Sequence, residues 1–147
     1  MGYGYGVWYI LDKQTTPTLN GHIPHITVSC NMSYGNADKM YKELVFRGLS
    51  KQFYHILFRE PVVFPKMYSN DPLSGWGYYV AIKPSDYLIL KECAALYDCD
   101  FADEPHITMQ YNGKNKMVYV GNDKIQGTLA VVDIRSNDPC KWHILNM

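Results

Sequence analysis

Charge is scarce in this chain of 147 residues. Asp, Glu, Lys and Arg make up 19% of it, and fourteen basic side chains balance fourteen acidic ones. A neutral chain lacks the bulk positive field that grips long nucleic acid, yet local groups can still hold a small anion. Long apolar runs are missing too: the longest fall far short of a membrane span, and no basic stretch followed by an apolar core opens the sequence. The expectation is a soluble cytoplasmic protein with no standard secretion signal and no membrane contact. Cysteines are few, and Cys30, Cys93, Cys99 and Cys140 lack the paired spacing of zinc sites. Cys93 and Cys99 stand six apart in a predicted helix, on different faces, so free thiols in a reducing compartment are expected. No linker, low-complexity tract or long charge run divides the chain.

What is present suits one globular domain, residues 1–147, long enough to bury roughly 70% of its unfolded surface; 47% of the residues are hydrophobic. The tetrapeptide Pro-His-Ile-Thr occurs twice, at Pro24–Thr27 and Pro105–Thr108. Each copy follows a segment that opens with a Gly-aromatic-Gly step, Gly4-Tyr5-Gly6 or Gly75-Trp76-Gly77, and continues as an apolar strand. A repeated strand followed by a repeated histidine-bearing strand predicts two similar halves, about 1–70 and 71–147.

The first half reads as a strand over Tyr5–Leu11, a Pro/Gly-broken loop over Asp12–Pro24 and a strand over His25–Cys30. A helix N-capped by Asn36 and running to Ser50 follows, then strands over Phe53–Phe58 and Val62–Tyr68 broken at Pro61. The turn-rich segment Ser69–Gly75 joins the halves. The second half reads as a strand over Gly77–Ile82, a helix from Pro84-Ser85, a strand over His106–Tyr111 and a turn at Asn112-Gly113. Strands over Met117–Val120, Thr128–Ile134 and Trp142–Leu145 complete it. Strands outnumber helices, so the class is α+β.

In an extended strand, residues i and i+2 share a face. His25, Thr27 and Ser29 then point one way, as do His106, Thr108 and Gln110, with apolar residues opposite. If the polar faces meet, two imidazoles and two hydroxyls converge on a space suited to one phosphate, with Ser29 and Gln110 as candidates to contact phosphate or ribose. One neutral imidazole can take a proton from the attacking oxygen and the other, as imidazolium, give one to the leaving oxygen, with the threonines on the non-bridging oxygens. Trp8 and Tyr79, symmetry mates when the two Gly-aromatic-Gly steps are aligned, are candidates either to sandwich a base or to pack in the core. His22 and His25 form a His-x-x-His pair, but it lies in a Gly/Pro loop without a nearby carboxylate or Cys. A loop histidine is the favoured reading over zinc. His55 and His143 read as structural or surface histidines.

His25-Ile26-Thr27-Val28 and His106-Ile107-Thr108-Met109, in duplicated α+β halves, resemble the paired motifs of the 2H phosphoesterase superfamily. The resemblance implies two pseudo-symmetric lobes of antiparallel sheet with helices outside and a central groove. It implies catalysis by His25 and His106, with Thr27 and Thr108 on the phosphate and no metal or other cofactor. Family members cleave 2′,3′-cyclic phosphates, 2′-5′ linked oligonucleotides or cyclic nucleotide messengers. Several viral members destroy nucleotide signals of host immunity, which would place such a protein in the host cytoplasm. The leading expectation is a metal-independent phosphodiesterase for a cyclic di- or oligonucleotide messenger. The alternatives are processing of RNA ends bearing a 2′,3′-cyclic phosphate, and a binding protein that sequesters a nucleotide. The family's helix between the first strand and the first motif has no counterpart in Asp12–Pro24, so a lower wall and a more open site are expected.

Overall fold

The computed structural model describes residues 2–14, 16–19, 21–64, 74–113 and 116–147. Nine strands and two α-helices lie among them: β1 Tyr5–Ile10, β2 His25–Met32, α1 Tyr34–Phe46, β3 Lys51–Ile56, β4 Val62–Phe64, β5 Gly75–Ala81, α2 Pro84–Ala94, β6 Asp100–Phe101, β7 His106–Tyr111, β8 Lys124–Asp133 and β9 His143–Asn146. The class is α+β. Every strand pairing is antiparallel. The order β1-β2-β7-β5-β3-β8-β9, with β1 also paired to β8, closes six strands into a ring of pairings. Two joints of that ring are short: β2 meets β7 at Ile26 and Ile107 alone, and β3 meets β5 at two residue pairs.

Strand alternation sorts the side chains into two cores. Val7, Tyr9, Ile26, Val28, Tyr78, Ile107, Leu129 and Val131 face one way and pack with Ala37, Met40 and Leu44 of α1 and Leu90, Cys93 and Ala94 of α2. The other face carries a smaller cluster of Tyr3, Trp8, Cys30, Ala130, Val132, Ile134 and Trp142. No helix among the described residues is long and apolar enough to cross a membrane.

Several boundaries differ from the sequence reading. Ser33, not Asn36, caps α1; its hydroxyl accepts from the Asn36 amide at 3.1 Å. The helix stops at Phe46 because Gly48 takes φ +81°. The Gly48 and Leu49 amides then donate back to the Val45 and Leu44 carbonyls, at 3.0 and 2.9 Å. Helix α2 ends at Ala94, so Cys99 lies beyond it. Met117–Val120 is no strand: the Tyr119 amide donates to Arg59 O at 2.8 Å, and the Arg59 guanidinium closes on Tyr119 O at 2.9 Å instead of a ladder. The end of the strand expected over Val62–Tyr68 and most of the joint Ser69–Gly75 fall outside the described residues.

Candidate active site

The single pair Ile26–Ile107 sets β2 and β7 side by side with the two motifs antiparallel. One step along the register either way, His25 stands across from Thr108 and Thr27 across from His106. All four point to the face opposite Ile26 and Ile107, which belong to the helix-covered core. Each imidazole therefore sits diagonal to the other; an ideal ladder separates diagonal neighbours by roughly 7–8 Å. His106 is close enough to oppose the protonation of His25.

The flanking strands repeat one feature. Thr27 pairs with Trp8 but Ser29 with Val7, and Thr108 pairs with Gly77 but Gln110 with Trp76. Each motif strand thus carries one extra residue, Val28 or Met109, just after its threonine. This bulge reverses the alternation. Ser29 consequently turns into the helix-covered core, where it is fully buried and its hydroxyl lies 3.2 Å from Met40 Sδ. Gln110 turns the same way and accepts from Trp76 Nε1 at 3.0 Å. Neither shares a face with the histidines, contrary to simple i, i+2 counting.

The register also corrects the matching of Trp8 with Tyr79. Trp8 and Gly77 hold equivalent places opposite the two threonines, and Ile10 and Tyr79 hold those opposite the two histidines. Trp8 is 1% exposed and lies flat on His25, with ring centroids 3.4 Å apart and planes 5° off parallel. That face is taken by the imidazole, so Trp8 supports His25 and does not sandwich a base with Tyr79. Tyr79 remains at the site, half-buried, with its ring 5.2 Å from Phe64 and 6.4 Å from His106.

No family model, curated protein or solved structure matches this chain.

The chemistry must therefore be read from the side chains. Nδ1 of His25 lies 2.7 Å from Ile23 O, and Nδ1 of His106 lies 2.9 Å from Glu104 O. A carbonyl only accepts, so each Nδ1 carries the proton and each ring is turned by the carbonyl two residues before it. In the neutral ring Nε2 is then the basic nitrogen. His25 is 5% exposed, and burial, with a smaller push from His22, lowers its pKa to about 3. His106 is only half-buried: glycine stands at position 77 where Trp8 covers His25, and the Phe64 ring packs against the His106 ring instead, centroids 4.2 Å apart.

The loop before β2 lies against β7. Leu19 N donates to Met109 O at 2.8 Å and His22 Nε2 to Thr108 O at 2.9 Å, which ties the loop across β7 where the β2–β7 ladder stops. His22 is 1% exposed, edge-on to Tyr111 at 4.9 Å and to His25 at 6.1 Å. Its Nδ1 is buried without a hydrogen-bond partner among the described residues, and burial lowers its pKa. The sequence does not single out Tyr111, which lies beside His22, or Trp142, whose ring lies 5.3 Å from Tyr111 and 6.2 Å from His25. A Gly/Pro loop has no period from which the direction of a side chain can be read. Among the described residues no group of three or more His, Cys, Asp or Glu is placed to hold a metal ion.

Proposed function

We propose that this protein is a metal-independent phosphodiesterase of the 2H kind, acting on a small nucleotide by paired histidine catalysis. The observation that carries the reading is the rectangle of His25, Thr27, His106 and Thr108, with both Nδ1 atoms turned onto the carbonyl two residues upstream. Two pseudo-symmetric lobes fit the pairing pattern. Exchanging β1 with β5, β2 with β7 and β3 with β8 maps the six-strand ring onto itself, and the two bulges exchange with it.

The inequality between the halves suggests a division of labour. His25, buried under Trp8 and neutral, serves as the base: its Nε2 takes the proton from the attacking hydroxyl or water. The oxygen adds to phosphorus, and His106 as imidazolium protonates the oxygen that leaves, so one P–O bond forms as another breaks. Thr27 and Thr108 donate to the non-bridging oxygens. A phosphate anion beside His25 raises its pKa back toward the working range. The preferred substrates are cyclic di- or oligonucleotide messengers.

The test is turnover in EDTA against cyclic dinucleotides, cyclic trinucleotides, 2′-5′ oligoadenylates and 2′,3′-cyclic mononucleotides. Cleavage of a messenger at substoichiometric enzyme, lost in His25→Ala and in His106→Ala, is expected. Turnover of 2′,3′-cyclic ends alone would move the protein to RNA-end processing. Stoichiometric retention of intact ligand would make it a nucleotide-sequestering protein.

A further inference from the structure

Directly opposed residues of antiparallel strands point to the same side of a sheet, so the face carrying the two histidines can be followed round the ring. From His25 the register runs laterally through Ile10 and Thr128 to Lys51. From His106 it runs to Tyr79, then two residues along β5 to Ala81, and across to His55 and Lys124. Both routes reach β3, and Lys51 and His55, four apart on that strand, fall on one face, as the closed ring requires. On this face β3 presents Lys51, Phe53 and His55, and β8 presents Lys124, Gln126 and Thr128. All but Thr128 are exposed, and none of the six is a carboxylate.

The same face of β8 changes character along its length. Ala130 and Val132 are sealed beneath Trp8 and Trp142, whereas Lys124 and Gln126 are open to solvent. Phe53, 46% exposed, has the Lys124 ammonium 4.1 Å from its ring centroid. An aromatic ring flanked by two lysines and an imidazole is the composition with which proteins hold a base and its phosphate. Lys51 stands three strand spacings from His25, roughly 14 Å along the sheet, too far to reach the phosphate between the histidines.

We infer that the Lys51–Phe53–His55 and Lys124–Gln126 face is a second subsite, which takes a further phosphate and base of an oligonucleotide substrate. The inference rests on the phosphodiesterase reading for the identity of the first phosphate, and it narrows the ligand to a nucleotide with two or more phosphates. Continuity with the histidine face and the local excess of positive charge in a neutral chain argue for it.

The test is binding of a 5′-fluorescein-labelled linear triadenylate to the His25→Ala/His106→Ala protein by anisotropy across a salt series. Adding Lys51→Glu and Lys124→Glu should lower affinity tenfold or more and flatten the dependence of log affinity on log salt. Reversing Lys39 and Lys91, which are exposed on α1 and α2, should change neither. Phe53→Ala should weaken binding without altering the salt slope. Equal effects from the two lysine pairs, or none from Lys51 and Lys124, would overturn the subsite. So would a self-association of the wild-type chain that Lys51→Glu/Lys124→Glu abolishes while triadenylate binding persists. Weakened binding in a protein whose wild type turns over nothing in the panel would keep the subsite and discard the enzymatic reading.

Discussion

At the scale of single residues, His25 and His22 make the site sensitive to acid. Both are buried, and burial lowers both pKa values, His25 from 6.5 to about 3. The unfolded chain binds protons on these rings below about pH 6.5, where the folded chain does not. Stability therefore rises with pH, for His25 between about 3 and 6.5, and is lost as pH falls through that window. Urea titrations at pH 7.5 and 5 should show the wild type losing more stability on acidification than His25→Gln or His22→Gln, whose side chains do not titrate. An unchanged pH slope in both variants would mean that neither ring is buried neutral. Trp8→Leu belongs with this test. Removing the ring that lies on His25 should move the His25 pKa upward by proton NMR, because water reaches the imidazole.

At the scale of elements, much was legible, but side-chain direction was not. The two Pro-His-Ile-Thr strands, the loop over 12–24, the start of α2 and the β8–β9 pair all follow from residues with strong local preferences. The side-chain directions of Ser29 and Gln110 did not follow, because a bulge adds one residue without any sequence signature at Val28 or Met109. The same two strands hide a further shift. The Gly-aromatic-Gly steps align by sequence two residues away from where the registers align. Position 77 therefore answers to Trp8, not to Gly6, and the inequality of the two histidines could not be read before the structure. Strand β6, two residues long, is too short for any periodicity to reveal. Glycine separates these cases experimentally. A Cβ on Gly77 would lie 1.8 Å from Ile107 O, so β5 and β7 must part and carry His106 and Thr108 with them. Gly77→Ala should cost about 3 kcal/mol or more by chemical denaturation and abolish turnover in what remains folded. A Cβ on Gly48 meets nothing within 4 Å, and only its positive φ resists. Gly48→Ala should cost about 1 kcal/mol and leave activity per folded molecule intact.

At the scale of the whole molecule, the ring of pairings decides how the halves cooperate. The first half contributes β3, which pairs with β5 and β8 of the second; the second contributes β8, which pairs with β1 of the first. Neither half closes the ring alone, and the one direct joint between the motif strands is a single residue pair. The relative placement of His25 and His106 is therefore fixed by this exchange of strands more than by their own contact. On the proposed chemistry the two imidazoles act on one phosphate as a unit, each useful only while the other is in its complementary protonation state. His25→Ala and His106→Ala should each lower the rate about 10²–10⁴-fold. The double variant should fall little below the poorer single one, since removing the second member of a unit already disabled costs little more. The rate should follow a bell in pH, and each single variant should lose one limb of it. If the two losses multiply in full, the histidines act independently, and the base-and-acid pair across the β2–β7 joint is wrong.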